Sequence, residues 1–265
     1  MCPENERNIP TRKYDPAMRF FASSIVGTRK YQQDSYACID TPEGVLAVVC
    51  DGMGGLEGGE RASALAVRTL VEDYISGSIA DIRKFLRNEV IRIDTMVAKL
   101  CDDNGRPLGA GTTIAAVYSD TEKGTMDWIS VGDSKIYVIR NNTIQCIVRE
   151  HNYRMMLNDM YMKGEITLEQ YRGEEHKAEA LISFLGIGNV SLMDENEAPI
   201  KLMQGDIVLI CSDGLYKSLS EQMILAVISD NYFDMQRAAD ELTDAALRYS
   251  QRSQDNTTAV ILQYS

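Results

Sequence analysis

Five aspartates stand where apolar, strand-like runs stop or start. Asp51 and Asp213 each end such a run and precede a glycine. Asp133 follows Gly132 at the end of a third, and Asp34 and Asp255 stand just ahead of two more. Carboxylates gathered at neighbouring strand ends repel one another if left unpaired. Arg29 and Lys135 are the obvious local bases, too few to neutralise them. Hard divalent cations remove the difficulty, because carboxylate, carbonyl and water ligands suit Mg²⁺ and Mn²⁺. A glycine after the aspartate, as at Gly52, also lets a backbone carbonyl approach a metal closely. Two such ions roughly 3.5–4 Å apart can share a water and lower its pKa toward neutrality, giving an in-line nucleophile for phosphoryl transfer. Arg29, five residues before Asp34, could then grip a phosphate through a two-pronged hydrogen bond, unless it is simply a solvated turn residue.

Asp-Gly on its own signals a two-residue hairpin turn. Here neither instance is followed by a partner strand. Gly52 leads into Gly54, Gly55, Gly58 and Gly59 and then a helical pattern; Gly214 leads through Leu-Tyr-Lys-Ser to another. The run 45–50 is continuously apolar, as suits a central strand buried on both faces. Further strand-like segments fall at 20–26, 35–39, 112–118, 126–131, 135–139, 143–148, 206–212 and 257–263. Amphipathic helical spacing covers 60–75, 79–100, 220–229 and 234–249. Residues 149–190 break the rhythm: they are charged, Met-rich, helical in pattern, and hold both histidines, His151 and His176. Strands with two internal helices, then strands with two closing helices, predict an α+β sandwich of two packed sheets with helices outside. Residues 1–18 read as an irregular leader and 19–265 as the folded domain.

Composition narrows the function. The chain carries 27 basic and 39 acidic side chains, a formal charge of −12 that repels phosphate backbones, with no basic tract to offset it. Nucleic acid is a poor partner; much of the acidity simply serves solubility. No apolar run is long enough to cross a bilayer and the first residues lack a secretory core, so a cytoplasmic protein without membrane contact is expected. Cys38, Cys50, Cys146 and Cys211 lie within strand-like runs as small hydrophobes. With no Cys-x-x-Cys pair and two histidines, a zinc site is not expected.

Six segments, in order, resemble the metal-dependent PP2C-type (PPM) serine/threonine protein phosphatases. They are Arg29-Lys-Tyr-Gln-Gln-Asp34, Asp51-Gly-Met-Gly-Gly55, Gly111-Thr-Thr113, Val131-Gly-Asp133-Ser134-Lys-Ile-Tyr137, Ser212-Asp213-Gly214 and Asp255-Asn256-Thr-Thr258. The resemblance runs from about Phe20 to Tyr264. It implies a four-layer α-β-β-α sandwich of two antiparallel sheets flanked by helices, acting on phosphoserine and phosphothreonine in proteins and opposing a cognate kinase. It further implies that Asp51 bridges two Mg²⁺ or Mn²⁺ ions, with the Gly52 carbonyl completing one sphere and Asp213 and Asp255 holding the other ion. Asp34 would hold a water on the metal, Arg29 the substrate phosphate, and Asp133, with Asp213, a third ion as in bacterial members. Thr112, Thr113 and Asn256 are expected as structural supports. Two departures stand out: Met53 replaces the histidine proposed as general acid in many eukaryotic members, and Gln33 replaces a glutamate. Residues 149–190 would form the flap beside the active site and help choose the phosphoprotein. Rival readings are a two-metal phosphodiesterase, a catalytically impaired phosphoprotein-binding relative, and a structural calcium site.

Overall fold

The computed structural model describes residues 17–55, 58–250 and 253–265. Most of the expected leader lies outside the described residues, and Met18, its last residue, already belongs to a strand.

The chain begins with β1 (Met18–Ile25), β2 (Asp34–Thr41) and β3 (Gly44–Met53), followed by α1 (Gly58–Ser76) and α2 (Ile82–Ala98). Then come β4 (Gly111–Thr112), β5 (Ile114–Asp120), β6 (Thr125–Val131), β7 (Lys135–Arg140) and β8 (Thr143–Cys146). Helices α3 (Tyr153–Met162) and α4 (Leu168–Glu174) precede β9 (Asp194–Glu195), β10 (Ile200–Lys201) and β11 (Ile207–Cys211). Helices α5 (Asp213–Tyr216), α6 (Glu221–Asp230) and α7 (Met235–Tyr249) and strand β12 (Thr257–Tyr264) close the chain. One sheet runs β1-β12-β11-β7-β8. The other runs β10-β6-β5-β3-β2, with β4 on β3 and β9 on β6. Every pairing is antiparallel.

The period of two along a strand explains the layers. In β3, Val45, Ala47 and Val49 pack into the core between the sheets, against Val208, Ile210, Val260 and Leu262 of the other sheet. Leu46, Val48 and Cys50 face the opposite way, onto Ala62, Ala66 and Leu70 of α1 and Val90 and Ile93 of α2. In the partner sheet Leu209, Cys211 and Ile261 meet Ile224 of α6 and Leu242 and Ala246 of α7. Central strands are therefore apolar on both faces, which is why 45–50 carries no alternation. The result is the expected α-β-β-α sandwich.

Two details position the site. Antiparallel register sets Asp34 opposite Asp51, Ile25 opposite Thr257, and Cys211 opposite both Lys135 and Ala259. The starts of β2, β7 and β12 and the ends of β1, β3 and β11 therefore share one rim. The 149–190 region is less helical than its pattern suggests: beyond α4 it continues as one short 3-10 turn and irregular chain. Isolated bridges Asn152–Leu181 and Thr112–Leu185 stitch that chain beside the rim.

Candidate active site and metal centre

The rim carries all five aspartates. Asp34 is buried, and its Oδ2 accepts hydrogen bonds from Ser212 Oγ and Thr258 Oγ1, each at 2.7 Å. Both hydroxyls come from the other sheet, so this carboxylate spans the gap between the layers. Its Oδ1 is buried with no partner. Burial pushes the Asp34 pKa up to about 7; the two hydroxyls pull against it, and Asp213 and Asp255 add to the rise. Asp51 is held well above the carboxylate range, by burial first and then by Asp34, Asp213, Asp133 and Asp255. Its four charged neighbours are thus the other four aspartates of the motif set. Burial and Asp213 raise Asp133 to about 6, with Lys217 opposing.

Neutral residues fix the backbone beneath them. The Asp51 N–H donates to Thr113 Oγ1 (2.9 Å), while the Asp51 carbonyl accepts from Thr112 Oγ1 (3.0 Å) and Thr113 N (2.8 Å). Thr113 Oγ1 also bonds Ser134 Oγ at 2.7 Å, tying this strand end to the Asp133 turn. Asn256 Oδ1 accepts from Gln33 N, and its Nδ2 donates to the carbonyls of Val26 and Tyr31. That one side chain holds both ends of the Arg29 loop. Gln33 Nε2 donates to the Gly54 carbonyl, so the glutamine serves the glycine-rich loop. At Gly52 a Cβ would meet the Gly59 carbonyl at 2.1 Å and the Gln33 carbonyl at 2.6 Å: α1 packs directly on the backbone here.

Two cations reach the aspartates. Arg29 Nη2 lies 2.5 Å from Asp255 Oδ2, with 57% of its side chain exposed. Lys217 Nζ lies 2.5 Å from Asp213 Oδ2 and 3.7 Å from Asp133 Oδ2. Burial alone would lower the Lys217 pKa, but Asp213 and Asp133 outweigh it and push it up. Lys135, the base suggested by sequence proximity, turns away. It pairs with Glu150 at 2.7 Å and sits 3.8 Å over the Tyr216 ring. It opens β7 one residue after Ser134, and the strand directs it toward the flap.

Arg29, Asp51, Gly52, Met53, Asp133, Asp213, Lys217 and Asp255 line one cleft of about 410 Å³, walled on the flap side by Glu179, Leu181 and Phe184. Among the described residues, no three Asp, Glu, His or Cys side chains already stand as a closed metal cage; Lys217 and Arg29 each take one outer carboxylate instead. The donor set nonetheless fits hard divalent ions. Asp34 Oδ1 is an orphaned buried oxygen, Asp51 is surrounded by four like charges, and two monovalent cations cannot balance five carboxylates.

A family model described as protein phosphatase 2C matches residues 24–250. The chain belongs to the protein phosphatase 2C family. It is accordingly a metal-dependent serine/threonine protein phosphatase. The serine/threonine phosphatase stp of Listeria welshimeri is 26% identical over 222 residues, covering 82% of this chain and 84% of that one. The structure of the S. agalactiae serine/threonine phosphatase superposes with a TM-score of 0.78 at 23% identity, covering 94% of this chain and 100% of that one, which speaks for the fold. The catalytic domain of the phosphatase PstP, solved in complex with two manganese ions, gives a TM-score of 0.72 at 26% identity, covering 93% and 97%.

Within this PP2C phosphatase the structure gathers every aspartate singled out from sequence, together with Gly52 and Arg29. What sequence reading missed is Lys217, Ser212 and Thr258. Lys217 lies four residues after Asp213 where a helix begins, a spacing that puts two side chains on one face. That signal was available. Ser212 and Thr258 lie inside quoted motifs, but only the packing of one sheet on the other reveals that they meet Asp34.

Proposed function

We propose that the rim binds two Mg²⁺ or Mn²⁺ ions through Asp51, the Gly52 carbonyl, Asp213 and Asp255, and so removes phosphate from phosphoserine and phosphothreonine in cytoplasmic proteins. The carrying observation is the convergence of Asp51, Asp133, Asp213 and Asp255 on one cleft, with buried Asp34 paired opposite Asp51. Bound there, the ions would supply an acidified water and positive charge for the phosphoryl oxygens.

The chain's own residues do the rest. Asp34 Oδ1, lacking any protein partner, accepts a hydrogen bond from the attacking water and orients it, while Ser212 and Thr258 keep the carboxylate from rotating. With Asp255 engaged in holding an ion, the exposed Arg29 guanidinium would be free to fork onto the substrate phosphate. Met53 lines the cleft but carries no proton to give, so the leaving alkoxide would take its proton from a bound water or another acid. Leu181 and Phe184 offer an apolar wall to residues flanking the phosphorylated one, and we assign the flap a part in choosing the phosphoprotein.

Five described cysteines are free, which agrees with a reducing compartment, and among the described residues no helix is long and apolar enough to cross a membrane. A phosphatase of this kind would oppose a serine/threonine kinase of matching specificity. The test is phosphate release from a phosphothreonine peptide and from a phosphate diester, with Mn²⁺ and with chelator. Release from the peptide alone, and only with Mn²⁺, is expected; preference for the diester would assign the cleft to a phosphodiesterase.

A further inference from the structure

Asp133 and Asp213 make a second, outer carboxylate pair beside Asp51, where the resemblance to bacterial members implies a third divalent ion. An ammonium also stands there. Lys217 Nζ lies 2.5 Å from Asp213 Oδ2 and 3.7 Å from Asp133 Oδ2. The Lys217 N–H donates to the Asp213 carbonyl at 3.0 Å, so the two residues stand one helical turn apart on one face.

Oxygen ligands for another ion are also spoken for. The Asp133 carbonyl accepts from Tyr216 Oη at 3.0 Å. Glu150, at the start of the flap, is held by Lys135 at 2.7 Å and by Asn152 Nδ2 at 2.8 Å. Glu179 on the flap is held by Arg154 at 2.7 Å. A divalent ion of this type takes about six oxygens, commonly one or two carboxylates and several waters. Here its two carboxylates already face an ammonium, 2.5 Å from Asp213 Oδ2 and 3.7 Å from Asp133 Oδ2.

We infer that Lys217 is a built-in third cation: its ammonium, between Asp133 and Asp213, stands in for a third divalent ion and limits this phosphatase to two exchangeable metals. The inference rests on the two-ion reading above. It also changes what the outer pair does. A lysine cannot be removed by a chelator or diluted away, so Asp133 keeps an opposing charge 3.7 Å from its Oδ2 whether or not the centre is loaded. The cleft keeps one permanent positive charge next to Arg29.

Counting bound manganese tests this without using turnover. Free Mn²⁺ is followed by electron paramagnetic resonance as the ion is titrated into full-length protein. The wild type should bind two ions per chain, and Asp133→Asn should still bind two. Lys217→Asp, which removes the ammonium and adds a carboxylate, should bind three, and Lys217→Asp combined with Asp133→Asn should return to two. Three ions on the wild type, falling to two in Asp133→Asn, would overturn the inference and leave the two-ion reading standing. A folded Lys217→Asp protein that still binds two would also overturn it. No manganese on the wild type would bring down the two-ion reading itself. If Lys217→Asp does not fold, the wild-type and Asp133→Asn counts decide alone.

Discussion

Stripping divalent ions with a chelator and raising the pH from about 5 to about 8 should weaken the fold by about 3–4 kcal/mol. Asp34 has its pKa raised from 3.8 to about 7, chiefly by burial. A carboxyl raised on folding lends stability that is complete below its unfolded value and is lost as the pH climbs through its folded value. Over that interval Asp34 gives up about 3 kcal/mol, and Asp133, raised to about 6, adds about 1. Asp51 moves in the same direction. Asp194 works the other way: burial is outweighed by the adjacent His151 and by bonds from Arg149, so its pKa is lowered and its share is lost only in acid, outside this interval. The assay is urea denaturation with chelator across the pH range, followed by the fluorescence of Trp128, the one tryptophan, buried between the sheets. Asp34→Asn should flatten the profile and make the metal-free protein more stable at the alkaline end. Manganese at about a hundred times its dissociation constant should restore about 2.7 kcal/mol there. Metal-free stability that is level or rises toward pH 8 would refute the reasoning, because the buried carboxylates would then not be in conflict.

Arg29→Ala should lower kcat/KM for a phosphopeptide roughly 10- to 100-fold at saturating Mn²⁺, the loss expected for a charge-assisted phosphate contact; steady-state kinetics would check it, and an unchanged value would return Arg29 to a solvated role. Asn256→Ala removes three hydrogen bonds from one buried side chain and should cost about 2–4 kcal/mol in urea denaturation. Gly52→Ala pushes a methyl against the Gly59 and Gln33 carbonyls, so calorimetry should find manganese affinity reduced together with stability, by about 1–3 kcal/mol for the latter.

Much of this was legible in the sequence because the relevant physics is local. The unbroken apolar run 45–50 announces a strand covered on both faces, and Asp51 and Asp213 stand where such runs end. The glycines after them and the helices beyond distinguish these turns from hairpins. Register then does what sequence cannot state: it brings the starts of three strands and the ends of three others to one rim. The unread parts depend on contacts across layers. Ser212 and Thr258 reach Asp34 only because one sheet packs on the other, and Lys135 leaves the aspartates because β7 aims it at Glu150. The 149–190 region carries helical spacing throughout, yet 178–190 is held as irregular chain by bridges to Thr112 and Asn152, a tertiary override of local preference.

Anomalous diffraction from crystals grown with Mn²⁺ tests the central claim most directly. Two peaks should lie in the cleft, both within bonding distance of Asp51, one beside the Gly52 carbonyl and the other beside Asp213 and Asp255. Manganese bound elsewhere, with Asp51 touching no ion, would contradict the account.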